Sequence, residues 1–393
     1  MLLQISKTKW AIFFAFISMF VLGISDNIRG PLYPELLNFF SLSHSQGALS
    51  FALTSLAAFM ANTLAAFSLK KIQLDRLMFV SIILMIIGPL LMGLASTFSF
   101  YLAGAIFFGF SIGSLGVVQN LLIAENTHGR SQTQALSGLH GVYGLSSLVA
   151  PLLASRAPAW FLNNFPQWTL LTKWQSSFFI ITVLAAAILL MLFFTTAQPQ
   201  FTPHALHDES VHGKKCSVWT MLWFAGFFAS YVGAEILISS RLALYMRTYF
   251  EMSLEKSSDY VFYFFIFLFL GRIFFVFKSF KMQLKNQLNL FLGSSLVCLL
   301  LGLWLHPFFL TLVGLTMAPF YPMAIGYISA TAGFQKRRFL TFTMGVQSLF
   351  VIFMHIVVGY ITDAYGLFYA FGIGIFLLIG SMICLNLHPK INT

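Results

Sequence analysis

Residues 23–35 read Gly23-Ile24-Ser25-Asp26-Asn27-Ile28-Arg29-Gly30-Pro31-Leu32-Tyr33-Pro34-Glu35, and a strongly apolar run from Trp10 to Leu22 leads into them. The run has the character of a membrane-type helix, and its far end carries a carboxylate, an amide and a guanidinium. Ionisable groups at such depth are costly and rare, and they mark a solute pathway or an internal ion pair. Pro31 and Pro34 then follow, and neither can continue a regular helix without a kink. Polar groups beside a break, in the first span of a many-span protein, sit where a carrier would hold its cargo. The expectation from this stretch is a secondary carrier.

Composition agrees. The chain has 393 residues, 59% of them hydrophobic and only 8% charged. A soluble domain carries about a quarter charged residues, so the chain reads as a polytopic all-α membrane protein. Cys216, Cys298 and Cys384 lie far apart and form no metal spacing or disulfide framework. No cofactor and no metal are expected. Lys7 and Lys9 before the first apolar run imitate a signal peptide. Ser-Asp-Asn-Ile-Arg-Gly-Pro stands where a small-residue cleavage site would be, so the segment reads as an uncleaved first span.

Twelve apolar spans are expected, at 10–30, 45–67, 77–95, 99–122, 133–154, 175–196, 218–244, 258–277, 288–305, 308–331, 339–361 and 367–387. Each is long enough to cross a hydrocarbon core of roughly 30 Å. Two connections are long, Ser155–Lys173 and Ala197–Ser217. The second is polar and divides the chain into an N-terminal half (1–196), a cytoplasmic linker (197–217) and a C-terminal half (218–393). Its His204, His207 and His212 read as part of a flexible linker rather than a metal site. Placing the N-terminus inside puts fifteen Lys and Arg residues in cytoplasmic segments and four (Arg156, Lys173, Arg247, Lys256) in outer ones. That asymmetry sets both termini in the cytoplasm and accounts for most of the +11 net charge, leaving nucleic-acid binding without support. Short loops and the lack of an outer Asn-x-Ser/Thr site suit a bacterial inner membrane. The halves also echo one another, with Gly23 and Gly233, and Phe40 and Phe250, each 210 positions apart.

Several stretches resemble the major facilitator superfamily, and more narrowly its proton-coupled fucose, galactose, glucose and mannose symporters. Tyr231-Val-Gly-Ala-Glu235 is similar to that branch's Tyr-x-Gly-x-Glu. Gln119-Asn120 followed by Leu136–Leu153, and the steps Leu270-Gly271-Arg272 and Ala318-Pro319-Phe320-Tyr321-Pro322, look like branch patterns too. The resemblance implies two pseudo-symmetric six-helix halves with a cavity between them. It also has departures. The fucose symporter's two membrane acids match Gly30 and Gly116 here, and Arg241 stands where relatives place an aromatic. The loop 68–77 keeps Asp75-Arg76 but lacks the superfamily's glycines.

Asp26 and Glu235 lie roughly 24–26 Å along their helices at 1.5 Å per residue. A carboxylate that is alternately wetted and desolvated changes its proton affinity, so both are candidates for proton coupling. Asp26 has a competing role as the i,i+3 partner of Arg29. No basic residue lies within a helical turn of Glu235. Arg29 and Arg241 could clamp an anion bidentately, as arginines on the same two helices do in the superfamily's sugar-phosphate antiporters, or snorkel to headgroups. Asn27, Asn120, His140, Tyr143 and Gln347 are candidate hydrogen-bonders for hydroxyls, with helix–helix bonding as the alternative. Asp75, Arg76, Glu125 and Arg130 are candidate cytoplasmic gate residues or solvated loop ends. Gly109-Phe-Ser111-Ile-Gly113 imitates a hydrolase elbow, yet it lies in a glycine-rich helix where close packing explains it, so an enzyme is not expected. The expected function is transport of a small polar, sugar-like solute by a monomer in the lipid bilayer, with protons as driver. Anion or sugar-phosphate exchange through Arg29 and Arg241, and efflux of an amphipathic compound, remain open.

Overall fold

A computed structural model describes residues 7–69, 72–194, 217–277 and 281–387. Among them the chain is helical with no strand. In order the helices are α1 (Lys7–Asn27), α2 (Arg29–Phe40), α3 (His44–Ser68), α4 (Leu74–Leu94), α5 (Phe98–Asn126), α6 (Gly129–Asn164), α7 (Ser176–Phe194), α8 (Val218–Phe250), α9 (Leu254–Phe277), α10 (Leu284–Trp304), α11 (Phe308–Met317), α12 (Phe320–Ala332), α13 (Lys336–Tyr365) and α14 (Leu367–Leu387). Twelve stretches among the described residues are long and apolar enough to cross a membrane, as expected.

Two of the spans are interrupted. Pro31 and Pro34 remove the donors that would reach the carbonyls of Asn27 and Gly30, and their rings crowd those carbonyls. The helix therefore breaks at Ile28, between α1 and α2. Leu32 N–H still reaches Ile28 O at 3.2 Å, so the chain bends there and continues. Pro319 and Pro322 act likewise on the step between α11 and α12.

Several helices run past their expected ends: α2 to Phe40, α6 to Asn164 and α8 to Phe250. Hydropathy marks where a helix is apolar, whereas a helix stops only where its backbone is capped or broken. For α8 the stop is Glu251, whose φ of 49° is left-handed and whose N–H returns to Met246 O.

The chain forms two compact units. The first is Met1–Glu35 with Leu53–Leu206, and the second is Leu36–Ala52 with His207–Thr393. Residues 195–216, which include His204, His207 and His212, lie outside the described residues.

In the first unit α4 packs on α5 and α7, and α1 on α5 and α6. Hydrocarbon supplies no hydrophobic force between helices, so small residues and close contact must hold them. Gly109 and Gly113 show this, because a Cβ there would come within 2.3 Å of Thr54 O and 2.1 Å of Ala58 O on α3. Between them Ser111 donates to Ser81 O on α4 at 2.9 Å. The hydrolase-like pentapeptide is thus a packing seam.

In the second unit α8 packs on α13 and α14, and α9 and α10 on α11. The strap 36–52 joins this unit through α13. Asp363 accepts the N–H groups of His44 at 2.7 Å and Ser45 at 2.8 Å, capping the start of α3. Phe51 stacks on His355 with ring centroids 4.9 Å apart.

Candidate functional site

The first polar cluster is built where α1 meets α6. A Cβ on Gly23 would lie 1.9 Å from Ser146 Oγ, so only glycine lets the two helices approach this closely. The approach carries Tyr143 to the end of α1, where its hydroxyl donates to Asp26 Oδ2 at 2.8 Å. The other carboxylate oxygen is taken by Arg29 Nη2, one turn further along. Arg29 Nε also reaches Asp26 O at 3.3 Å, and the guanidinium carbon lies 5.4 Å from the centroid of Phe108. Asn27 donates to Gly23 O at 2.8 Å and to Ser147 Oγ at 3.0 Å, tying the bend to α6. Asp26, Asn27, Arg29 and Tyr143 thus come together. The i,i+3 pairing forms, with a tyrosine hydroxyl added to it.

Asn120 donates instead to Gly116 O at 2.7 Å, within its own helix. Its neighbour Gln119 makes the bridge to α1, donating to Ser18 Oγ at 3.0 Å from a fully buried position. His140 is exposed on α6, close to one turn before Tyr143. Gly116, where the resemblance would place an acid, has no atom within 4 Å of its Cβ position.

The second cluster lies within the second unit, where α8 faces the break between α11 and α12. The Tyr231 hydroxyl stands 2.6 Å from Glu235 Oε2 and 2.7 Å from Met317 O. The single hydroxyl proton is shared between these two acceptors. Tyr231 is fixed by stacking on Phe320, with centroids 3.9 Å apart. The second carboxylate oxygen of Glu235 lies 3.8 Å from Arg272 Nη2 on α9. No basic residue is near Glu235 in sequence, so this cation is supplied by packing alone. Two sequence signals mark Arg272, the Leu270-Gly271-Arg272 step and, as for Asp26, a charge inside an apolar span, but neither points to Glu235 as its partner.

Residues 15–345 match the Major Facilitator Superfamily. The chain belongs to that superfamily. No curated protein sequence matches it. Among solved structures it is similar to a D-xylose-proton symporter, with a TM-score of 0.76, 13% identity, and coverage of 96% of this chain and 97% of the other. The inward-open xylose transporter XylE from E. coli gives 0.75 at 13% identity, covering 98% and 97%. The E. coli fucose:proton symporter FucP gives 0.64 at 16%, covering 98% and 100%. At such identities the likeness is one of fold alone; the superfamily match, with twelve apolar spans among the described residues, makes this an integral membrane protein.

The remaining candidates of this superfamily member are dispersed. Arg241 is 2% exposed, and its guanidinium carbon lies 4.5 Å from the centroid of Phe51. Its guanidinium is thus buried over an aromatic ring rather than exposed at the surface. Gln347 is half-buried on α13. Asp75 opens α4 with a buried Oδ1 that has no hydrogen-bond partner, next to an exposed Arg76. Glu125 is exposed near the end of α5. The side chain of Arg130 lies outside the described residues.

Proposed function

We propose that this protein is a secondary active transporter that moves a neutral, sugar-like solute by alternating access and draws on a proton gradient. The observation that carries the reading is that each unit holds one intramembrane carboxylate bonded by a tyrosine hydroxyl beside a guanidinium. Carboxylates so placed mark proton and solute pathways. The neighbours named for xylose and fucose share the fold. Anion exchange is less favoured, because the Arg29 guanidinium already holds the Asp26 carboxylate and Arg241 is sealed over Phe51.

Glu235 is the better proton carrier of the two. Its cation stands 3.8 Å away, whereas the Asp26 carboxylate is in direct contact with Arg29, so neutralising Glu235 disrupts less. The same proposal places the chain as a monomer in a bacterial inner membrane, with six spans on each side of the 197–217 linker and both termini cytoplasmic.

The test is uptake of neutral monosaccharides into proteoliposomes with an imposed proton gradient. Wild-type protein accumulates solute, while Glu235→Gln still exchanges solute down its own gradient but no longer accumulates it. Accumulation by wild type that ignores the proton gradient, or that persists in Glu235→Gln, rejects the coupling role.

A further inference from the structure

The pair Glu235 and Arg272 leaves an acceptor and a donor side by side, neither of them saturated. At 3.8 Å Arg272 Nη2 and Glu235 Oε1 attract one another but are too far apart for a hydrogen bond. The Glu235 oxygen bonded to Tyr231 is Oε2, so Oε1 keeps its lone pairs. Arg272 Nε is buried without a hydrogen-bond partner. The guanidinium is therefore held by no hydrogen bond through that nitrogen, and it can shift toward a ligand cheaply. The side chains of Arg272 and Glu235 remain 33% and 19% exposed. Tyr321 stands within electrostatic reach of both and packs on Phe228 with centroids 5.1 Å apart.

We infer that Glu235 and Arg272 form a specificity subsite for two adjacent hydroxyls of a neutral solute. One hydroxyl donates to Glu235 Oε1, and the neighbouring oxygen accepts from the Arg272 guanidinium. The inference rests on the sugar reading above and adds to it the group that is recognised and the residue that reads it.

Charge selects the class. With Glu235 ionised the pair has no net charge, so an anion meets Glu235 and a cation meets Arg272, whereas a diol meets neither as a repulsion. A zwitterion matches the signs but not the bonding capacity. An ammonium brings three donors and a carboxylate two oxygens with several lone pairs, and the aromatic surroundings of Phe320, Tyr321 and Phe228 leave most of these unmet. Buried charges without such partners are strongly penalised. Two hydroxyls ask for one acceptor and one donor, which is what the pair offers.

The experiment measures binding of neutral monosaccharides, each of their monodeoxy analogues, and alanine and glutamine to purified full-length protein. Wild type and the variants Arg272→Gln, Arg272→Lys and Glu235→Gln are compared. In wild type, removal of either of two adjacent hydroxyls weakens binding by about tenfold or more, the effect of one lost hydrogen bond to a charged group. In Arg272→Gln that discrimination falls at one of the two positions, in Glu235→Gln it falls at the other, and Arg272→Lys retains part of it. The wild-type analogue series needs no variant to fold. Sugar binding in which no adjacent pair matters, or in which Arg272→Gln weakens every analogue equally, overturns the subsite and leaves the sugar reading standing. Binding of the amino acids in place of any sugar overturns both.

Discussion

A carboxylate inside a membrane protein is defined by what its two oxygens touch, and here Asp26 and Glu235 differ in a single contact. Both accept from a tyrosine, but the second oxygen of Asp26 meets a guanidinium directly and that of Glu235 does not. Tyr143→Phe should therefore leave Asp26 paired to Arg29 while removing one bond to a charged group, costing about 1.5–3 kcal/mol. The check is thermal unfolding in detergent, where an unchanged Tm would show that the hydroxyl contributes no net stability. Gly23 sets the distance over which Tyr143 acts. Gly23→Val forces two methyls toward Ser146 and Tyr143, and overpacking of this kind costs about 1–3 kcal/mol. Uptake should fall with stability, since the same displacement parts Tyr143 from Asp26. A Gly23→Val protein of wild-type Tm would mean that α1 and α6 have room to yield.

Elements show which parts of this arrangement can be read from the chain. The twelve spans are legible because each is a continuous apolar run, and the Asp26–Arg29 pair is legible because three residues along a helix is a contact distance. The meeting of Tyr143 with Asp26, and of Arg272 with Glu235, depends on how α6 lies on α1 and α9 on α8, which no local pattern encodes. The overrun of α2 and α8 escapes hydropathy because polar residues interrupt the apolar run before each helix ends, Glu35 and Asn38 in α2 and Arg247 and Thr248 in α8. The start of α3 is another case. Its first two N–H groups are met by Asp363, a residue more than three hundred positions away. A carboxylate there satisfies orphan donors and faces the positive end of the helix dipole. Asp363→Ala should cost about 0.5–2 kcal/mol, as loss of an N-cap does, and Asp363→Asn less, because an amide oxygen can still accept. Equal loss in the two variants, by thermal unfolding, would show that the charge rather than the bonds holds α3.

At the scale of the whole molecule, the polar linker divides the sequence differently from the way the chain divides itself. Counting spans places the boundary within 197–217, yet Leu36–Ala52 belongs with the second unit. That strap brings Phe51, on which His355 stacks and over which Arg241 lies, and it brings the backbone N–H groups that Asp363 caps. A chain of residues 207–393 made alone would lack all of these. It would uncover a guanidinium that is now 2% exposed, beside an aromatic ring pocket with no ring to fill it. Leaving a buried charge without its surroundings costs about 3–5 kcal/mol, a large share of the 5–15 kcal/mol that holds a typical domain folded. We expect residues 207–393 to express poorly or aggregate alone, and to be recovered when residues 1–206 are made in the same membrane. Adding a separate 36–52 segment should not suffice, because its apolar ends need the flanking spans. Co-purification of the two fragments with restored thermal stability is the expected outcome. A second fragment that is as stable alone as with its partner would show that the strap is an accessory to the unit rather than part of its core.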